Sequence, residues 1–147
     1  MKKPHGIPCE YEYLLHLLRC AVHGAVPEPI PDGVSFEQVL QYGMKHEVAN
    51  IAFLAVKKLK PTLDERLFQS WQEQYMRAVK RDALQQKARA DILDALHAHG
   101  IYTLEVQGTV VKQYYPQSHL RMMSDLDFII PAEKLYEGGR NTPKHGF

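Results

Sequence analysis

Cysteine is scarce in this chain: Cys9 and Cys20 are the only two in 147 residues, too few for a disulfide framework. Both fall in or beside one predicted helix, which points to reduced thiols and a cytoplasmic setting. Long apolar runs are missing, and none approaches the ~20 residues that a membrane span needs. The start, Met1 to Gly6, leads into Pro8 and acidic residues rather than the apolar stretch of a signal peptide. Charge of one sign is also lacking: the net is +1, so no broad field gathers nucleic acid. No repeat or low-complexity segment is present. What remains is an ordinary globular composition, 45% hydrophobic and 24% charged, in one domain-sized chain.

The first two-thirds read as helices. Leu14, Leu17, Leu18 and Ala21 form an apolar stripe within 10–23, with Gly24 as the stop. A connector, Pro27 to Gly33, cannot continue that helix. Ser35 with Gln38 fits a capping box for a helix carrying Phe36, Val39, Leu40 and Gly43 on one face. Val48, Ile51, Ala52, Ala55 and Leu59 mark a third helix, ended by Pro61. Thr62 with Glu65 fits a second capping box, opening a long helix towards Ala98. Its stripe runs Leu67, Trp71, Tyr75, Val79, then Leu84, Ala88, Ile92, Leu96. The five-residue step from Val79 to Leu84 slips the phase, so the helix either bends and changes packing partners there or is two helices. Gly100 supplies the stop.

At residue 101 the sequence changes character. Residues 101–106 are rich in β-branched and aromatic side chains and read as a strand. Gln107–Gly108–Thr109 makes a turn, residues 110–114 a short helix, residues 125–130 a second strand, and residues 132–137 another helix. The expected architecture is α+β, with a helical region over 1–98 and a smaller strand-containing region over 99–147. The chain closes at Phe147 before further strands, which reads as a fragment or as a sheet completed by another chain. Unpaired strand edges also offer a route to a homo-oligomer.

The chemistry centres on Asp125 and Asp127. Residues i and i+2 of a strand share a face, so these two carboxylates project together while Leu126, Phe128 and Ile130 turn to a core. Neighbouring carboxylates repel unless a positive charge lies between them, and Mg²⁺ or Mn²⁺ with water and phosphate oxygens is a common answer. Surface strand ends also carry two acids simply because they are solvated. Gly108 and Thr109, between a strand and a helix, suit a close approach of backbone N–H groups to phosphate, although a plain strand-to-helix turn uses the same residues. Arg121 could grip phosphate through its planar fork, or pair with an acid at the surface. The eight histidines form no Cys/His cluster with zinc spacing. His16 and Cys20 stand at i, i+4, where a packed thiol explains them better than a nucleophile. Arg77, Lys80, Arg81, Lys87 and Arg89, with Asp82 and Asp91, read as a solvated mixed-charge face.

Taken together, Gly108–Thr109, Tyr114–Tyr115–Pro116 and the run from Leu120 through Arg121 and Ser124–Asp125–Leu126–Asp127 to Ile130 resemble a bacterial family of uncharacterised nucleotidyltransferases. The helical start Leu14 to Ala21 and the stretch Lys45 to Ala49 are similar to that family as well. The resemblance implies a polymerase-β-like palm, a mixed sheet with flanking helices, here only in part. It implies Asp125 and Asp127 as catalytic metal ligands, Gly108 and Thr109 at nucleotide phosphates, and Arg121 in support. The implied reaction moves a nucleotidyl group from a nucleoside triphosphate to a hydroxyl acceptor, whose identity stays open. Two departures stand out. Gln107 occupies the place of the family's usual lysine, and no later strand brings a third carboxylate, so metal binding and catalysis are expected to be impaired in this chain alone. Two other readings remain open: a metal-dependent glycosyltransferase using Asp-x-Asp, and a non-catalytic helical interaction module with a remnant palm.

Overall fold

The computed structural model describes residues 6–106 and 108–134. Helix α1 spans Cys9–His23, α2 Phe36–Lys45, α3 Ala49–Val56 and α4 Glu65–Ala98, with a 3₁₀ segment over Lys57–Thr62. Then follow strand β1 (Leu104–Val106), helix α5 (Gly108–Lys112), a 3₁₀ turn at Ser118–Leu120, strand β2 (Asp127–Ile129) and a 3₁₀ turn at Ala132–Lys134. Helices dominate and the strands pair antiparallel, so the architecture is α+β. Residues 135–137 of the expected last helix lie outside the described residues. Among the described residues, no helix is long and apolar enough to cross a membrane.

The chain divides into two compact units, Met1–Val79 and Lys80–Phe147. In the first, α1, α2, α3 and the front of α4 enclose a core in which Leu17, Val39, Val56 and Trp71 are fully buried. Aromatic rings fill its centre: Phe36 lies 5.4 Å from Trp71, and Phe53 lies 5.1 Å from Tyr75. Such tilted ring pairs add to the area they bury. Gly43 lets α2 approach α3, because a Cβ there would stand 3.3 Å from the Cβ of Ala49. The proline connector is tied to α1: Tyr13 donates to the Glu28 carbonyl at 2.7 Å, and the Glu28 N–H donates to His16 Nε2 at 3.0 Å. His16 Nε2 also lies 3.6 Å from the buried Cys20 Sγ, so the contact expected from their spacing is present in a structural role.

Several helix ends follow the sequence. Gly24 and Gly100 are left-handed stops, and Ser35 accepts from the Gln38 N–H. The start of α4 differs. Asp64 is the cap, its Oδ2 accepting from the Arg66 and Leu67 N–H groups at 3.1 and 3.3 Å, while Thr62 donates to the Leu59 carbonyl. Asp64 stands next to the helix and can reach its first free N–H groups; Thr62 lies in the preceding 3₁₀ segment.

Helix α4 is one element, and it passes from the first unit to the second after Val79, where the sequence predicts a change of packing partners. Phe68, Trp71, Tyr75 and Ala78 continue in phase as Asp82, Gln85, Arg89, Leu93 and Leu96, each buried or half-buried. Of the expected second stripe only Leu96 turns inward: Leu84 is 69% exposed, and Ala88 and Ile92 also face solvent. Polar side chains occupy the inward positions because each finds a partner within the second unit.

Candidate functional site

The second unit places Gly108 and the Asp125–Asp127 segment at one end of a short antiparallel strand pair. β1 and β2 pair with Leu104 opposite Ile129 and Val106 opposite Asp127. Gly108 begins two residues after Val106, and Asp125 stands two before Asp127, so both lie at the same end of the pair. A direct contact confirms the closeness of the two segments: a Cβ on Gly108 would stand 3.0 Å from Met123 Sδ.

The second strand is shorter than expected, covering Asp127–Ile129 rather than residues 125–130. Its periodicity nevertheless extends outward on both sides. Asp125, Asp127 and Ile129 are exposed, whereas Leu126, Phe128 and Ile130 are half-buried. The two carboxylates thus occupy alternate, solvent-facing positions. They are the kind of oxygen donors that Mg²⁺ accepts when water and phosphate complete its shell. Among the described residues, no group of three or more His, Cys, Asp or Glu side chains is placed to hold a metal ion.

Thr109 is half-buried in the first turn of α5, and Arg121 is exposed, its Nη1 donating to the neighbouring Met122 carbonyl at 3.3 Å. Lys112, the last residue of α5, is committed elsewhere. Its ammonium is buried, 2.5 Å from Asp82 Oδ1 and 3.2 Å from Gln85 Oε1. Ser118 donates to Asp82 Oδ2 at 2.5 Å, and Gln85 Nε2 donates to the Met123 carbonyl at 2.6 Å. Burial alone would raise the Asp82 pKa; hydrogen bonds from Lys112 and Ser118 and the Lys112 and His119 charges outweigh it and hold the carboxyl below its ordinary value. Burial pushes His119 below the usual histidine range, with the Lys112 charge acting the same way and Asp82 opposing both. Arg89 also leaves the expected solvated face and donates to Glu105 on β1. Sequence reasoning passed over Gln85, Lys112 and Ser118 and placed Asp82 on a solvated face, whereas it is buried; the available signal was the in-phase continuation of the α4 stripe beyond Ala78.

A family model described as uncharacterised nucleotidyltransferase matches residues 32–138. The chain belongs to that family. The match takes in both the strand pair and the acidic segment of this nucleotidyltransferase-family domain, along with most of the helices before them. No curated protein and no solved structure gives a match.

Proposed function

We propose that this domain binds a nucleoside triphosphate with a divalent cation and transfers its nucleotidyl group to a hydroxyl acceptor. The observation that carries the reading is the register of the strand pair, which puts Gly108 at the start of α5 and two outward carboxylates at the same end of it. Asp125 and Asp127 would hold Mg²⁺ through their carboxylate oxygens. When bound, that ion supplies charge neutralisation at the phosphates and alignment of the attacking and leaving oxygens. Gly108 and Thr109 offer backbone N–H groups near the triphosphate, and the exposed Arg121 offers a guanidinium fork to its oxygens. In the reaction, the acceptor hydroxyl oxygen bonds to the α-phosphorus and loses its proton, while the bond from that phosphorus to the bridging oxygen breaks and pyrophosphate leaves.

The test is a titration of Mg²⁺ with each of the four ribonucleoside triphosphates against the wild type, Asp125→Asn and Asp127→Asn. Each substitution is expected to weaken Mg²⁺-dependent nucleotide binding by more than about tenfold. Equal binding by all three proteins, or preference for a nucleotide sugar, would overturn the assignment.

A further inference from the structure

The buried polar cluster on α4 reaches the two segments that carry the proposed site. Asp82 accepts from Lys112 in α5, the helix opened by Gly108, and from Ser118 in the turn leading to Arg121. Gln85, one turn further along α4, accepts from Lys112 and donates to the Met123 carbonyl, two residues before Asp125. Asp82 is 8% exposed and Lys112 5%, so neither charge is solvated in the usual way. An apolar pair of similar volume could fill the same space, often without loss of stability. Such a pair would not reach Ser118 Oγ, nor supply a donor to Gln85 Oε1. Stability alone therefore does not account for the choice of groups; their directions do.

We infer that Asp82 is a positioning residue for nucleotide binding: through Lys112 and Ser118, and together with Gln85, it fixes the spacing between α5, which begins at Gly108, and the Asp125 segment. This rests on the nucleotidyltransferase reading above. Asp82 is not placed to touch substrate, since its two carboxylate oxygens are taken up by Lys112 and Ser118. Its effect passes through the backbone of α5 and of residues 118–123. The cluster joins three chain segments at side-chain depth where the paired strands are only three residues each. A two-stranded ribbon of that length holds its own geometry weakly.

The full chain tests this with two variants that separate folding from positioning. Asp82→Leu/Lys112→Met replaces the ion pair with apolar groups; Ser118→Ala removes only the serine link. Unfolding midpoints in urea and affinities for MgATP, MgCTP, MgGTP and MgUTP are measured alongside amide exchange at 108–112 and 122–127. The expected result for Ser118→Ala is a lowered urea midpoint, because Asp82 Oδ2 loses its donor, with the protein still folded in buffer and a three- to tenfold loss of nucleotide affinity. The double variant is expected to lose more than tenfold, and both are expected to exchange faster in the two segments. Should the double variant fail to fold, Ser118→Ala alone decides. Wild-type affinity and exchange in Ser118→Ala would overturn the positioning role while leaving the proposed function intact. Failure of the wild type itself to bind any of the four nucleotides would overturn both.

Discussion

Gly108 and Met123 stand so close that a methyl group on the glycine would meet the methionine sulfur at 3.0 Å. Gly108 opens α5 just after β1, where the sequence predicts a turn, and Met123 lies in the segment before Asp125, so this contact sets their separation. The obstacle is a flexible thioether rather than backbone, and alanine is the better helix former by about 1 kcal/mol. Gly108→Ala is therefore expected to change global stability by less than about 1 kcal/mol while weakening MgNTP binding. Met123→Ala makes room, and the double variant should recover part of the affinity. A double-mutant cycle with no coupling between the two positions would refute the steric account.

Arg89 and Glu105 form a two-pronged pair, Nε to Oε2 and Nη2 to Oε1, both at 2.5 Å. Their side chains are 33% and 19% exposed, so water screens the pair only in part. The hydrogen bonds that Arg89 donates to Glu105, opposed by burial and aided by the Glu105 charge, raise the Arg89 pKa. Arg89→Lys keeps the charge but not the fork, and is expected to cost about 1 kcal/mol; Arg89→Ala, about 2 kcal/mol. Chemical denaturation of the single and double variants with Glu105→Ala checks this. Additive losses would mean that the two side chains do not support each other.

The α+β class was legible because residue 101 marks a sharp change from helical periodicity to β-branched and aromatic composition. The pairing of the acidic segment with the strand before Gly108 was not, since register depends on contacts that no local pattern encodes. Helix α4 shows a second limit. Reading inward positions as apolar led to Leu84, Ala88 and Ile92, whereas the inward face carries Asp82, Gln85 and Arg89. Hydrophobic periodicity reports burial only where burial is apolar. Here the partners, Lys112, Ser118 and Glu105, lie 16 to 36 residues further along the chain. Asp125 and Asp127 could be picked out from their i, i+2 spacing and apolar neighbours, because alternation is a local property of extended chain.

Tyr13 is 5% exposed and donates to the Glu28 carbonyl, so its ionised form would lose both water and an acceptor-facing proton. Burial first, then the negative charges that Cys20 and Glu28 can carry, push its pKa up to about 12 from an ordinary 10.0. A raised folded-state value means that this group's contribution to stability is fully present below pH 10 and is lost as pH rises through about 12. The difference in ultraviolet titration between the wild type and Tyr13→Phe should show one phenol ionising near that upper value. A step near pH 10 would show that the connector leaves Tyr13 open to water.

Helix α2 ends without glycine. The Val48 N–H donates to the Gly43 carbonyl at 2.8 Å and the Glu47 N–H to the Met44 carbonyl at 3.1 Å, which forces Glu47 into the left-handed region at φ 54°. This is the position that glycine usually fills at a helix end. A side chain there costs about 1–2 kcal/mol, while glycine gives back about 0.5–1 kcal/mol through the greater freedom of its unfolded chain. The Glu47 side chain is exposed, so its removal forfeits little packing. Glu47→Gly is expected to raise the unfolding free energy by about 0.5–1 kcal/mol, and Glu47→Val to lower it, because a β-branched residue tolerates positive φ worst. Urea midpoints at constant slope measure both. Destabilisation by glycine would mean that the carboxylate at 47 does more than cap a strained turn, and the turn between α2 and α3 would then need a role beyond connection.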